Sequence, residues 1–181
     1  HRLKAFHALG VNIHLHCFDY GRGHAPALDD LCASVTYYSR RSWAASLFGS
    51  LPYIVSSRKS HALLNNLQKD GFPILFEGIH TCLYLNHPAI RGRMRAVRLH
   101  NVETHYYRNQ GRLHWNPFQK IFFAVESGRL SRFEPTVCGA NVVFPISREE
   151  TIHSWLCATG RKRGGFEDPL ARPWANPFHF D

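Results

Sequence analysis

Three observations predict an α/β domain built on a parallel sheet with helices on both faces. Short apolar runs of strand length alternate along the chain with segments of helical spacing. Two of those runs, Pro73-Ile-Leu-Phe-Glu77 and the one ending Val97-Arg-Leu-His100, lead into polar turns that carry a histidine. The size and balance fit one folded domain, with 181 residues, 44% apolar and 19% charged.

Each element has a local reason. Arg2 to Leu9 places Leu3, Phe6 and Leu9 at helical spacing and stops at Gly10. Val11 to Phe18 alternates, with Val11, Ile13, Leu15 and Cys17 on one face and His14 and His16 on the other, which predicts a strand. A short helix is expected over Ala25 to Ala33 and a strand over Ser34 to Ser39. Ser57 to Asp70 reads as one helix with Leu63, Leu64 and Leu67 inward, ended by Gly71. Pro73 to Glu77 and Arg93 to His100 are short strands. Asn116-Pro117 is an N-cap followed by proline at the first helical position. Phe118, Ile121, Phe122, Val125 and Phe133 then mark one face of that helix up to Pro135. A strand over Asn141 to Ile146 and a helix capped by Ser147, with Ile152, Trp155 and Leu156 inward, complete the pattern. Glycines and prolines dominate 160–181, so the folded domain is expected over 1–159 and a linker after it. The chain opens inside a predicted helix, and an element before His1 is expected.

Lys and Arg number 22 against 13 Asp and Glu, a formal charge of +9, which favours anionic partners. The five cysteines form no Cys-x-x-Cys pair, which argues against a zinc ribbon or disulfide framework and fits a reducing compartment. No apolar run is long enough to span a membrane.

In an open parallel sheet, ligands sit beyond the carboxyl ends of the strands. That rule selects His100, at the end of its strand, as the principal candidate for catalysis. Glu77 and His80 flank Gly78 at the end of the neighbouring run, either as a carboxylate–imidazole pair suited to proton transfer or to binding sugar hydroxyls, or equally as a helix-start turn with a satisfied polar group. Asn101 and Glu103 follow His100, and Asn101 is placed to cap the next helix. His14 and His16 are spaced for a metal pair, but no third ligand is placed by the sequence, and packing near a strand end is the simpler reading. The Arg40-Arg41, Arg91 to Arg98 and Arg161-Lys162-Arg163 clusters come without a nucleic-acid module signature. Solvated faces or a membrane-proximal patch account for them, the latter worth roughly 1 kcal/mol per basic residue on anionic lipid. Gly160 to Gly165 lacks the Gly-Lys-Ser/Thr ending of a phosphate loop, and Gly21-Arg22-Gly23 lacks the dinucleotide spacing.

Four stretches taken in order, Leu15 to Arg22, Pro52 to Arg58, Pro73 to His80 and Val97 to Glu103 with Tyr106-Tyr107, resemble the N-terminal half of bacterial glycosyltransferases of the GT-B fold, nucleotide-sugar dependent and retaining. The resemblance implies a three-layer α/β/α Rossmann-like acceptor-side domain facing a C-terminal donor-binding domain across a cleft. It implies that His100 contacts the donor sugar, that Glu77 and His80 line the acceptor side, that Asn101 and Glu103 also bind substrate, and that Arg22 and Arg58 meet anionic acceptor groups. It further implies a nucleotide-diphosphate sugar as donor with no cofactor and no metal, and a glycan or lipid-linked acceptor. A cytoplasmic location with peripheral contact at the inner membrane face follows from the same likeness. Catalysis would need both domains, so the isolated chain is expected to be inactive. The alternative from another class is a non-catalytic basic module that binds nucleic acid or an anionic surface. A sugar-nucleotide isomerase of the same architecture is a third reading. Side-by-side histidines at one sheet edge would favour the glycosyltransferase, and arginines gathered with aromatics on one continuous face the module.

Overall fold

The computed structural model describes residues 2–44, 49–100 and 102–145. Within them the chain is a three-layer α/β/α Rossmann-like domain in which every strand pairing is parallel. Helix α1 (Arg2–Ala8) leads to β1 (His14–Asp19), and β2 (Ser34–Ser39) pairs with β1 in register, His14 opposite Ser34. Helices α2 (Tyr53–Ser56) and α3 (His61–Leu67) precede β3 (Ile74–Glu77). Strand β4 (Arg95–Arg98) pairs with β3, Glu77 opposite Arg98, and with β5 (Val142–Phe144). Helices α4 (Glu103–Leu113) and α5 (Pro117–Phe133) form a hairpin between β4 and β5.

The sheet is not continuous. β1 and β2 form one ribbon and β3, β4 and β5 another, in the order β3-β4-β5. The core follows the larger one: Phe76, Ile79, Leu85, Ile90, Val97 and Leu99 are buried in one cluster with Val55, Leu67 and Phe133. From the β1–β2 ribbon only Tyr38 joins the buried hydrophobics.

Several expectations change in detail. The expected helix over Ser57 to Asp70 starts later, at His61. Ser60 is extended (φ −139°, ψ 118°) and accepts a hydrogen bond from the Leu63 N–H as N-cap. The Tyr84 hydroxyl holds that break from both sides, accepting from the Ser60 N–H at 3.0 Å and donating to the Ser60 carbonyl at 2.9 Å. The expected helix at Ala25 to Ala33 shrinks to one 3₁₀ turn, Pro26–Leu28. Asn116 does cap α5, its side chain accepting from the Phe118 N–H.

The largest departure is the face of α5. It buries Glu126, Ser127, Leu130 and Phe133, while Phe118, Ile121 and Val125 are exposed. Two polar residues replace the apolar stripe inside because each satisfies a backbone group there. Glu126 accepts from the Tyr53 N–H at 2.5 Å, and the Ser127 hydroxyl donates to the Thr104 carbonyl at 3.2 Å. Trp115, 97% exposed, and Leu113 extend the outward apolar surface around the hairpin turn. Asn101, the helix expected after Ser147 and the linker at 160–181 lie outside the described residues. The N-cap position of α4 belongs to Val102, which makes no side-chain capping bond.

Candidate functional site

The β3–β4 ends build the site. Gly78 continues the ladder, its N–H donating to the Arg98 carbonyl at 2.7 Å, then turns with φ +84° to start the 3₁₀ helix Ile79–Tyr84. That left-handed conformation suits glycine. It also leaves room for two rings. A Cβ built on Gly78 would fall 2.6 Å from the His80 ring and 3.1 Å from the His100 ring. Imidazoles from two adjacent strand ends therefore converge over the one residue that has no side chain.

Glu77 ties them into a network. Its Oε2 lies 3.2 Å from His100 Nε2, 2.7 Å from Arg2 Nη1 and 3.5 Å from Arg98 Nη1. Arg98 Nη1 also lies 2.8 Å from His100 Nδ1. A guanidinium only donates, so Nδ1 of His100 must accept, and its ring proton sits on Nε2, directed at Glu77. The side chains of His100 and Glu77 are 30% and 37% exposed, so the pair opens to solvent.

His80 differs in kind. Burial lowers its proton affinity first; the Arg58 guanidinium, the electrostatic coupling to the His100 ring and the Arg40 guanidinium add to this, bringing its pKa from 6.5 to about 4. It is neutral near pH 7. No hydrogen bond to its ring is found among the described residues, which leaves a lone pair for a ligand donor.

The shift has a consequence for stability. In the unfolded chain His80 takes up a proton near pH 6.5, whereas in the fold it does so only near pH 4. Between those values the unfolded state binds more protons, so stability is highest above pH 6.5 and falls as the pH drops through this window. His16, whose proton affinity is also lowered by burial, acts in the same direction. Urea midpoints measured from pH 7 to pH 4 should decline, and His80→Asn should flatten part of the decline. An identical slope in the variant would contradict the assignment.

The arginines expected to meet anions divide. Arg58 is only 7% exposed and serves the interior, donating to the Ile54 carbonyl and the Tyr20 hydroxyl. Arg22 is exposed in the turn after β1, where its backbone N–H bonds Asp19. Arg40 and Arg41 instead line a cleft of about 380 Å³ at the carboxyl ends of β1 and β2, together with Tyr20 and Tyr53. Glu103 occupies the first turn of α4, where a carboxylate complements the helix dipole, and it raises the pKa of Tyr107 after the larger effect of burial.

Arg98 is the residue that sequence reasoning missed. It read as one member of a basic cluster, but it orients His100. The signal was available: Arg98 ends the strand two residues before His100, and Arg98 faces Glu77 across the β3–β4 ladder. The rest of that cluster disperses. Arg93 pairs with Asp70 at 2.6 Å, and Arg95 is buried with its guanidinium donating to the Leu85 carbonyl at 2.9 Å. His14 and His16 are packed as well, His14 stacked on Phe72 and bonded to Ser34, His16 bonded to the Tyr38 hydroxyl. Among the described residues no group of three or more His, Cys, Asp or Glu side chains is placed to hold a metal ion.

No family model, curated protein or solved structure matches this chain. The chain is an α/β Rossmann-like domain with a carboxylate and two imidazoles at one sheet edge.

Proposed function

We propose that the chain is the acceptor-side domain of a glycosyltransferase that moves a hexosyl group from a nucleotide-diphosphate sugar to a glycan or lipid-linked acceptor, working opposite a donor-binding domain. The observation that carries this reading is the convergence of His80 and His100 over Gly78, with Glu77 bonded to His100. Carboxylates and neutral imidazoles are the groups that bind sugar hydroxyls, and the carboxyl edge of a parallel sheet is where such ligands sit. In this reading a donor-sugar hydroxyl is held between the His100 Nε2–H and the Glu77 carboxylate. His80, a weak base, accepts a hydrogen bond from the acceptor hydroxyl and orients it. As the bond from the sugar to the diphosphate breaks and the bond to the acceptor oxygen forms, fixed dipoles at this edge steady the developing charge.

The hairpin of α4 and α5 supports a lipid-linked acceptor. Leu113, Trp115, Phe118 and Ile121 are exposed together, no Asp or Glu occurs from Thr104 to Val125, and Arg108, Arg112 and Lys120 flank them. Aromatic and aliphatic side chains framed by cations fit an anionic bilayer surface. The dispersal of the Arg91–Arg98 cluster weighs against a continuous nucleic-acid face.

The test is turnover of a panel of nucleotide sugars by the natural full-length protein, with acceptor lipid in phosphatidylglycerol vesicles. Release of nucleoside diphosphate with one donor, together with co-sedimentation that Trp115→Asp weakens, is expected. No turnover of any donor by folded protein would sink the enzymatic reading, and co-sedimentation unchanged in Trp115→Asp would sink the membrane contact.

A further inference from the structure

The cleft at the ends of β1 and β2 holds more positive charge than the protein itself balances. Arg40 and Arg41 line it, and Arg58 stands behind Tyr20, whose hydroxyl accepts its hydrogen bond. Among the described residues, none of these three guanidiniums makes an ion pair with a carboxylate. Asp19 also lines the cleft, but its Oδ1 is taken by the N–H groups of Gly21 at 2.8 Å and Arg22 at 3.1 Å. The lowered proton affinity of His80 is due first to burial, and Arg58 and Arg40 add to it.

Arg40 is held in place as a binding group would be. Its guanidinium stacks 4.7 Å from the Tyr20 ring centroid and 5.6 Å from that of Tyr53, and its Nη2 donates to the Ser57 hydroxyl at 2.8 Å. Its Nε is buried and has no hydrogen-bond partner among the described residues. A buried donor without an acceptor is costly, and an oxyanion bound against this guanidinium is one acceptor that would relieve it. A planar guanidinium fixed between aromatic rings is suited to bidentate recognition of such an oxyanion.

We propose that Arg40 and Arg41 form a phosphate-binding site that receives the anionic group of the acceptor. Three guanidiniums against one engaged carboxylate match the charge of a phosphate monoester better than that of a carboxylate. The site lies beyond the same carboxyl edge of the fold as His80, and Arg40 and Arg58 link the two electrostatically. Assigning the phosphate to an acceptor rests on the glycosyltransferase reading, whereas phosphate binding itself does not.

The experiment is calorimetric titration of the full chain with inorganic phosphate at fixed ionic strength, chloride replacing phosphate in the blank. Saturable binding is expected. Arg41→Gln, an exposed position, should weaken it by about tenfold or more, and Arg40→Lys should do the same because an ammonium keeps the charge but loses the planar fork. Lys69→Gln, which removes an exposed charge elsewhere, should leave it unchanged. Dihexanoyl phosphatidic acid below its micelle concentration forms the second arm. Binding about tenfold tighter than inorganic phosphate, and still dependent on Arg41, assigns the phosphate to a lipid headgroup. Equal binding assigns it to a soluble acceptor. Absence of saturable binding, equal loss in Lys69→Gln, or displacement of phosphate by equimolar acetate would overturn the proposal. Phosphate binding that persists without nucleotide-sugar turnover would leave this site standing and remove the glycosyltransferase reading alone.

Discussion

Glu126→Ala is expected to destabilise the fold by about 3 kcal/mol. Glu126 has no solvent exposure. One carboxylate oxygen accepts from the Tyr53 N–H at 2.5 Å and the other from Arg129 Nη1 at 2.7 Å. The first bond satisfies a donor at the start of α2, the element that fixes Ser57, Arg58 and the back of the arginine cleft. Alanine would leave that N–H without this acceptor and a small void under α5. Glu126→Gln keeps an acceptor for Tyr53 and should cost about half as much. Chemical denaturation of the two variants checks this. A loss below about 1 kcal/mol in Glu126→Ala would mean that α2 is held by its apolar contacts and not by this carboxylate.

Glu134 works the same way eight residues later, accepting from the Thr104 N–H at 3.0 Å at the start of α4. Both glutamates belong to the segment that read as an amphipathic helix. Periodicity pointed to Phe118, Ile121, Phe122, Val125 and Phe133 as the inward face because an apolar stripe is the usual sign of burial, and of these only Phe133 is buried. The structure turns the helix the other way, since the buried ends of two neighbouring helices need acceptors. Sequence periodicity carries no information about which distant N–H lacks a partner.

Other parts were legible because their causes are local. Ser34 to Ser39 and the core of Pro73 to Glu77 are strands where β-branched and aromatic residues cluster between turn signals. Asn116-Pro117 starts a helix because cap and proline act within one turn. Gly78 marked a turn, and its positive φ is what lets two rings approach. That His80 and His100 meet at neighbouring strand ends was legible from their position after the two apolar runs. Arg58 was misread because a basic residue in sequence gives no hint that a carbonyl and a tyrosine hydroxyl will enclose it. Arg40 and Arg41 looked like a solvated pair, and only the folded placement of Tyr20, Tyr53 and Ser57 makes Arg40 a fixed group.

His100→Ala is expected to cut sugar transfer by about a hundredfold while leaving the fold intact. The ring is about one third exposed, so truncation opens no large cavity. What it removes is the N–H aimed at Glu77 and the acceptor that holds Arg98. Arg98 would then pair with Glu77 alone, and the carboxylate would lose the neighbour with which it is proposed to grip a hydroxyl. Loss of an interaction made with the reacting sugar should appear in kcat as well as in kcat/KM. His14→Ala serves as the comparison, because that ring packs on Phe72 at the opposite end of β1.

The decisive measurement is the rate of transfer from the accepted nucleotide sugar by the natural full-length protein carrying His100→Ala, with the urea midpoint taken on the same preparation. Transfer reduced by about a hundredfold at an unchanged midpoint is the result this account predicts. Transfer equal to that of the unaltered protein would contradict it and take the paired imidazoles out of the reaction.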